Sequence, residues 1–377
     1  MSHQIKPFKI TVTKAQVDDL QARLKNTIWP SVIDGQNYGG PSIDLMKNMV
    51  KKAQDFDWHK KETELNKLPQ FTTEVDGQTI HFIHIKSKEA NATPLMLIHG
   101  WPGSIVEFLD QIEALTDPAK HGGKASDAFD VVIPSLPGFG FSGPTKEAGW
   151  TNIRMGKALI EVMDRLGYQK FAVQGGDAGA IIGPEMARLA PTKITGLYLN
   201  AATMGFMPLG PVPEEEVATF TPAEKERLKV MQEFMQVKFG FNMLQSNQPQ
   251  LAAYAISDSP AGLMAWTTQL MEVSEVGEER FITNFMIYWF TGTAASSIRM
   301  YYENAHDPSA WAPKANSGVP TGVGVFGHGD IAIRRYGESA NTIVRWNEFD
   351  KGGHYAVMAA PDLWLKDLRE FFAQIKK

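Results

Sequence analysis

Short, fully apolar runs alternate with longer amphipathic stretches from Pro94 onwards, and this alternation restricts the folds open to the chain more than any other feature. The apolar runs occupy residues 95–98, 129–135, 171–174, 195–200 and 323–328, and helix-like stretches such as 105–115, 152–166 and 361–375 lie around them. Apolar strands connected by helices form parallel βαβ units whose sheet is covered on both faces. The sequence therefore predicts an α/β fold with a mostly parallel central sheet.

The pattern divides the chain into four segments. Residues 1–85 are predicted to form an N-terminal domain that is helical at first and ends in a strand. Residues 86–204 and 306–377 are predicted to form the two parts of the α/β core. Between them, residues 205–305 are rich in Met and Phe, have helical periodicity and show no clear strand. A helical insertion before the last strands is well placed to cover the carboxyl ends of the sheet, where such folds bind ligands, so we predict a lid.

Composition and charge exclude several classes of protein. The 377 residues include no cysteine, which excludes disulfides, thiolate metal sites and cysteine nucleophiles. The net charge of −5 gives no sign of a nucleic-acid surface. No apolar run approaches the roughly 20 residues of a membrane-spanning helix, and the N-terminus lacks a signal-peptide core. We expect a soluble, cytoplasmic protein without metal or cofactor; a homodimer is compatible with the sequence.

The segment Gly175–Gly176–Asp177–Ala178–Gly179 follows one apolar run and precedes a helix-like stretch. It resembles the nucleophile elbow of α/β hydrolases, with Asp177 in the position of the usual serine. Such a turn is tight and strained, so flanking glycines let neighbouring backbones approach. A glycine-rich turn with an aspartate helix cap is the alternative interpretation of the segment when it is taken alone.

The segment His99–Gly100–Trp101–Pro102–Gly103–Ser104 directly follows the first apolar run of the core. In the α/β-hydrolase fold this loop and the residue after the nucleophile each supply one N–H group of an oxyanion hole. The predicted donors are therefore the N–H groups of Trp101 and Ala178, which would stabilise negative charge that develops on a reacting oxygen. His99 is predicted to be a buried structural residue.

A histidine in a loop near the C-terminus completes the order of nucleophile, acid and base that this fold uses. His354, in Gly352–Gly353–His354–Tyr355, is the predicted base. Asp330, which follows the last apolar run, is the predicted acid that orients the imidazole, and Glu338 is the alternative.

An aspartate nucleophile needs no base to activate it, so His354 is predicted to deprotonate a water molecule that attacks a covalent ester. A carboxylate can form such an ester on carbon only if a bond of the substrate opens or a group departs. Epoxides and alkyl halides are the two substrate classes that fit.

Together these segments resemble the epoxide hydrolases of the microsomal and juvenile-hormone type, over almost the whole chain. The segments HGWPGS, QGGDAG, SDSPAGLMAW (257–266), YWFTGT (288–293) and GGHYAVMAAPD are similar to motifs of that family. The resemblance implies an N-terminal domain that wraps the core. It also implies conversion of an epoxide to a vicinal diol with no cofactor and with water as the second reactant.

The resemblance further implies two lid tyrosines that hydrogen-bond the epoxide oxygen. Tyr301 matches the second, whereas the first, expected eight residues before Pro249, is replaced by Phe241. Phe241 and Tyr302 are the predicted substrate contacts, and Tyr302 and Tyr254 are the tyrosines considered as substitutes for the missing phenol.

Two other functions stay open. A haloalkane dehalogenase also uses an aspartate nucleophile, but commonly has a tryptophan after it that binds the halide, where this chain has Ala178. A catalytically weak protein that binds hydrophobic ligands is the alternative from another class, and Phe241 is the feature that favours it. A serine esterase is excluded because residues 175–179 contain no serine.

Overall fold

The computed structural model describes residues 4–33, 36, 38–208, 210–327 and 330–376. Within them, nine strands form one sheet in the order β1-β2-β3-β5-β4-β6-β7-β8-β9. The strands are β1 Lys6–Pro7, β2 Gln70–Val75, β3 Gln78–Ile85, β4 Thr93–Ile98, β5 Phe129–Pro134, β6 Phe171–Gly176, β7 Ile194–Asn200, β8 Pro320–Phe326 and β9 Thr342–Phe349. Strands β4 to β9 pair in parallel, whereas β1, β2 and β3 add to the sheet antiparallel next to β5. The predicted α/β fold is confirmed.

Helices occur near both ends of the chain, between strands of the core, and throughout the segment between β7 and β8. The helices are α1 Lys14–Lys25, α2 Ile43–Asp55, α3 Trp58–Leu65, α4 Ile112–Thr116, α5 Asn152–Arg165, α6 Gly179–Leu189, α7 Glu214–Ala218, α8 Pro222–Val237, α9 Gly240–Asn247, α10 Pro249–Asp258, α11 Pro260–Thr267, α12 Val273–Val276, α13 Glu278–Thr291, α14 Ala294–Ala305, α15 Pro308–Trp311, α16 Arg334–Gly337, α17 Ala356–Ala359 and α18 Pro361–Ile375. Short 3₁₀ helices span Ile105–Gln111, Pro118–His121, Ala125–Asp127 and Gly140–Ser142.

The order of the strands fixes where a ligand can bind. Strand β4 lies between β5 and β6, so the chain runs to one side of β4 first and to the other side afterwards. In open parallel sheets the crevice beyond the carboxyl ends of the strands at such a reversal is where ligands bind. The loops that follow β4, β6, β8 and β9 all leave the sheet at this edge, and they contain the segments that the sequence analysis selected.

Helices α7 to α14 lie in the segment that is predicted to form a lid, and they are called the lid helices below; α15 lies beyond the predicted end of that segment at residue 305. Helices α9 and α10 pack against α14, and α13 packs against the 3₁₀ helix Ile105–Gln111 of the core. Helix α13 is buried on all sides from Phe281 to Tyr288. Most Met and Phe residues of the segment thus lie in its interior or at the contact with the core, whereas Met235 and Met243 are exposed.

The N-terminal segment contacts the lid as well as the sheet. Helices α1 and α2 pack against α11, and α2 also packs against α13. Arg23 of α1 forms an ion pair with Asp258 at the end of α10, with 2.9 Å between Nη1 and Oδ1. The segment therefore joins the antiparallel edge of the sheet to the lid. The domain boundaries at residues 85, 204 and 305 stay predictions.

Candidate active site

Asp177 lies at a strained turn between β6 and α6. Its φ is +53°, a left-handed conformation that is costly for a residue other than glycine. Glycine is required on both sides, because a Cβ at Gly175 would lie 2.2 Å from the carbonyl oxygen of Gly179, and one at Gly179 would lie 2.2 Å from that of Ile98. The turn presents the carboxylate beyond the carboxyl end of the sheet, as the elbow motif predicts.

The loop after β4 holds one oxygen of this carboxylate. The N–H of Trp101 donates to Oδ1 of Asp177 at 2.9 Å, and the N–H of Ala178 also stabilises the negative charge. Gly100 permits this approach, since a Cβ there would lie 2.3 Å from the same oxygen. The two N–H groups predicted as an oxyanion hole thus converge on the Asp177 carboxylate.

His99 supports the loop from inside the core. Its Nδ1 lies 2.9 Å from the carbonyl oxygen of Gly100, and its Nε2 accepts from the N–H of Leu136 at 3.2 Å. Burial lowers the pKa of His99 to about 4, so the ring is neutral at physiological pH. The structural role predicted for His99 is confirmed.

The second oxygen of the carboxylate faces His354. Oδ2 of Asp177 lies 3.4 Å from Nε2 of His354, in an ion-pair contact that lacks the geometry of a directed hydrogen bond. Burial alone would raise the pKa of Asp177, but His354 and the two N–H groups outweigh burial, and the pKa lies below its usual value. Burial conversely lowers the pKa of His354, and the nearby carboxylates, Asp177 foremost, raise it by more. The geometry favours an ionised carboxylate beside a protonated imidazole.

Asp330 and Glu338 occupy different environments. Asp330 is buried and accepts from the N–H of Ala332 at 3.1 Å and from the N–H of Phe326 at 3.3 Å. Burial raises the pKa of Asp330, and the charge of His354 acts in the opposite direction. Glu338 is exposed and pairs with Arg334 at 2.7 Å. Of the two candidates, Asp330 is the carboxylate within electrostatic reach of His354.

Three aromatic side chains lie against one another beside the nucleophile. The ring of Phe241 stacks on Trp101 at 5.5 Å between centroids, and Tyr301 meets both rings edge-on at 5.7 and 6.0 Å. Burial, and then the charge of Asp177, raises the pKa of Tyr301 well above its ordinary value. Tyr301 therefore stays protonated and able to donate, whereas Phe241 offers no donor at the neighbouring position.

Neither tyrosine considered as a substitute faces the nucleophile. Tyr302 is 40% exposed and stacks on His306 at 4.0 Å, and Tyr254 is 73% exposed. Tyr302 lines an outer groove together with Arg299 and the loop around Lys146. The structure does not bring Tyr302, a predicted substrate contact, together with Asp177.

Sequence reasoning did not select Glu107, Tyr288 and Tyr355, which the structure places around the same site. Glu107, in the 3₁₀ helix after the oxyanion loop, is buried, and burial raises its pKa to about 8. The hydroxyl of Tyr288 donates to the carbonyl oxygen of Gly103 at 2.7 Å. The hydroxyl of Tyr355 is buried and has no hydrogen-bond partner among the described atoms. In the sequence, the one signal that could have pointed to Glu107 was a glutamate inside the mostly apolar stretch Ile105–Gln111.

Two structural features bear on membrane and metal chemistry. Among the described residues, no helix combines the length and apolar character that crossing a membrane requires. In that same part of the chain, no three His, Cys, Asp or Glu side chains are grouped so that they could hold a metal ion.

Comparison with known proteins adds to this geometry. Residues 5–108 match the family described as epoxide hydrolase N terminus, and residues 93–372 match that of the alpha/beta hydrolase fold. Epoxide hydrolase 1 of Sus scrofa is 32% identical, over 99% of this chain and 89% of its own length. The crystal structure of juvenile hormone epoxide hydrolase from Bombyx mori is similar with a TM-score of 0.85 and 26% identity, over 99% of this chain and 95% of that one. Aspergillus niger epoxide hydrolase gives 0.84 and 27%, over 99% and 97%. The chain belongs to the epoxide hydrolases of the α/β-hydrolase fold.

Proposed function

We propose that this epoxide hydrolase converts an epoxide to a vicinal diol through a covalent alkyl ester on Asp177. One observation carries the proposal: the two oxygens of the Asp177 carboxylate have different surroundings. Oδ1 accepts from the N–H of Trp101 at 2.9 Å, whereas Oδ2 is turned toward His354 at 3.4 Å. One oxygen is thus held by the groups that stabilise charge, and the other is available to react.

In the first step Oδ2 of Asp177 attacks a ring carbon of the epoxide, a new C–O bond forms, and the strained C–O bond of the ring breaks. The epoxide oxygen leaves with the electron pair and takes a proton from Tyr301. The low pKa of Asp177 keeps the nucleophile ionised, and the burial of Tyr301 keeps the donor protonated. Phe241 leaves Tyr301 as the one phenol of this lid pair.

In the second step water attacks the carbonyl carbon of the ester while His354 removes a proton from the water. The carbonyl oxygen is Oδ1, which already accepts from the N–H of Trp101, and the N–H of Ala178 bonds to the same carboxyl group, so charge develops where donors are in place. Ester formation removes the negative charge of Asp177, the largest influence that raises the pKa of His354. The imidazole then loses its proton more readily and becomes a base in the step that needs one. Asp330 stabilises the imidazolium that forms.

The substrate is proposed to be a hydrophobic epoxide. The rings of Trp101, Phe241 and Tyr301 give the site an apolar wall next to the nucleophile. Relatives named for juvenile hormone support a substrate of this kind. Water is the second reactant.

Diol formation from a panel of aryl and alkyl epoxides tests the proposal. We expect turnover by the wild type, none by Asp177→Ala, and accumulation of an ester in His354→Gln, visible by intact-protein mass spectrometry as the mass of the protein plus that of the epoxide. Single turnover in H₂¹⁸O should place the label in Asp177. Glu338→Gln, which removes an exposed carboxylate, is the matched control for Asp330→Asn and should keep full activity.

Folded wild-type protein that forms no diol from any epoxide would contradict the proposal. Halide release from alkyl halides would then indicate a dehalogenase, and the absence of both reactions would indicate a binding protein.

A further inference from the structure

Three buried polar atoms beside the nucleophile make no directed hydrogen bond among the described residues: Oε1 of Glu107, the hydroxyl of Tyr355 and Nε2 of His354, which has its 3.4 Å ion-pair contact with Oδ2 of Asp177. The side chains of Glu107 and Tyr355 are almost completely buried, at 8% and 4% exposure. An unpaired buried polar group is costly, so a cluster of such groups in one place indicates a polar ligand.

The oxyanion loop is shaped to hold the Glu107 carboxyl group as closely as it holds Asp177. A Cβ at Gly103 would lie 1.7 Å from Oε1 of Glu107, just as one at Gly100 would lie 2.3 Å from Oδ1 of Asp177. The two glycines of the segment HGWPGS therefore each make room for one carboxyl group. The carboxyl of Glu107 and that of the nucleophile thus lie against the same short loop.

Electrostatic interactions connect the three groups. Glu107 and Asp177 both act on His354 and on the hydroxyl of Tyr355, and the rings of His354 and Tyr355 lie 5.0 Å apart. Burial raises the pKa of Glu107 to about 8, so the carboxyl is mostly protonated at pH 7. A neutral carboxyl can both donate and accept a hydrogen bond.

A purely structural role would leave the carboxyl group bonded within the protein, as another buried carboxylate of this chain shows. Asp367 accepts from the hydroxyl of Tyr198 at 2.6 Å, from Arg345 at 2.8 Å and from Asn347 at 2.5 Å. The Glu107 carboxyl receives one backbone hydrogen bond, from Gly100, and its Oε1 has no partner among the described residues, although Glu107 is also buried.

We propose that Glu107 and Tyr355 bind the water molecule that hydrolyses the ester, and hold it against Nε2 of His354. This inference rests on the proposed function. The oxygen of that water bonds to the carbonyl carbon of the ester, one of its protons goes to Nε2 of His354, and the bond from the carbonyl carbon to the alkyl oxygen breaks. His354 returns the proton to the departing alkoxide, which completes the diol. Before this step, the proton that His354 gives up when the ester forms passes to the phenolate of Tyr301; after it, the proton left on the regenerated Asp177 carboxyl passes to His354, which restores the starting ion pair. Epoxide and water together account for all atoms of the diol.

Single-turnover rapid-quench experiments separate the two steps. Ester formation is followed by intact-protein mass spectrometry, and ester hydrolysis by its decay and by diol release. We expect Glu107→Leu and Tyr355→Phe to slow ester hydrolysis by roughly 10-fold to 100-fold, so that ester accumulates, because a misplaced reactant costs about that much. Ester formation should stay near the wild-type rate. Tyr198→Phe, which removes another buried hydroxyl, is the matched control and should leave both rates unchanged.

Glu107→Gln is the conservative variant that keeps a neutral donor and acceptor, and we expect it to retain most of the hydrolysis rate. Its pH profile is the readout that a structural role would not move. In the wild type, hydrolysis should fall as pH rises through about 8 and Glu107 loses its proton, and Glu107→Gln should lose that decline. The other groups near Glu107 are His354 and Tyr355 before α17, Asp177 at the elbow and Tyr288 on α13, with Glu275 of α12 acting on His354.

The outcomes distinguish this inference from the proposed function. If the wild type forms no ester, the proposed function fails. Two results would overturn the inference on the water site while the ester mechanism stands. In the first, the wild type forms and hydrolyses an ester, and folded Glu107→Leu hydrolyses it at the same rate. In the second, Tyr355→Phe slows ester formation instead of ester hydrolysis.

Discussion

At the scale of single residues, the proposed mechanism assigns proton donation to Tyr301 and leaves the neighbouring position, Phe241, without a donor. Phe241 is buried, with its ring stacked on Trp101 and edge-on to Tyr301. A tyrosine at this position would therefore carry its hydroxyl group on a ring that its neighbours already orient.

We predict that Phe241→Tyr speeds ester formation by roughly 10-fold, because a second positioned donor stabilises the developing alkoxide. The measurement is kcat/KM for an aryl epoxide together with the single-turnover rate of ester formation. Phe239→Tyr is the matched control, since its ring lies 6.3 Å from that of Phe241 on the side of Phe234. An equal gain in both variants would show that the added hydroxyl acts by another route.

The pKa of His354 should depend on the charge of Asp177. In Asp177→Asn the largest influence that raises this pKa is gone and burial remains, so we predict a lower pKa than in the wild type. Titration of the imidazole resonances by NMR measures it. His84, whose pKa is lowered by burial and which does not interact with Asp177, is the internal control. An unchanged titration of His354 would contradict the proposed exchange of roles between the two steps.

At the scale of secondary-structure elements, lid helix α13 holds the oxyanion loop in place. Asn284 and Tyr288, one turn apart, donate to the consecutive carbonyl oxygens of Pro102 and Gly103 at 2.8 and 2.7 Å. These hydrogen bonds join the lid to the loop whose N–H groups and glycines surround both carboxyl groups. The lid therefore contributes to the shape of the site as well as to its cover.

We predict that Tyr288→Phe lowers the free energy of unfolding by about 1–3 kcal/mol, because the buried carbonyl of Gly103 loses its partner. Asn284→Leu should cost a similar amount. Because both side chains hold one loop, the loss of unfolding free energy in the double variant should differ from the sum of the two single losses by more than about 0.5 kcal/mol. Urea denaturation measures all three losses. Strict additivity would mean that the two anchors act independently.

The sequence predicted those elements whose pattern is local. Strands β4 to β8 are mostly buried and mostly apolar and were recognised, and helix α18 has the predicted bounds of residues 361 and 375. Strand β9 was missed because its side chains are mostly half-exposed and it contains Arg345, Asn347 and Glu348, and β2 was missed because it mixes polar and apolar residues. The strand predicted at 323–328 begins three residues earlier, and its end at His328 lies outside the described residues.

Active-site residues, too, could be predicted only where a local sequence pattern marks them. The prediction named Asp177, His354 and Asp330 because they follow strands in an order that this fold shares. Glu107 and Tyr355 approach each other only through the packing of the 3₁₀ helix against α17, which no local spacing reveals. Tyr302 was predicted as a substrate contact that could replace the missing phenol, but adjacent residues on a helix point in different directions, and Tyr302 is 40% exposed.

At the scale of the whole molecule, buried titratable groups should govern how stability depends on pH. Burial lowers the pKa of His81 to about 3 and that of His99 to about 4, so below pH 6.5 the unfolded chain binds protons that the folded chain does not. Stability should therefore fall as pH falls from 6.5 toward 3. Glu107 acts in the opposite sense, because its raised pKa makes the folded chain hold a proton that the unfolded chain loses above about pH 4.5.

We predict that Glu107→Gln makes the protein more stable than the wild type at pH 8 and above, by roughly 2–5 kcal/mol, because no proton must be lost from a buried carboxyl group. Urea denaturation from pH 4 to 9 measures the difference, which should grow from pH 4.5 to about 8 and then level off. Near pH 4 the two proteins should agree, which serves as the internal control. A constant difference at every pH would assign the change to packing and not to ionisation.

Tyr301 and Asp177 lie on different parts of the fold, so the two steps of the proposed mechanism depend on different parts of the molecule. In the proposed mechanism, ester formation needs both parts at once, since α14 carries Tyr301 and the turn after β6 carries Asp177. Ester hydrolysis in that mechanism needs Trp101, Ala178, His354 and Asp330, all from loops at the edge of the sheet. Mutations that loosen α14 alone should therefore lower the rate at which substrate is captured as the ester, whereas an ester that has already formed should still be hydrolysed by the groups at the edge of the sheet.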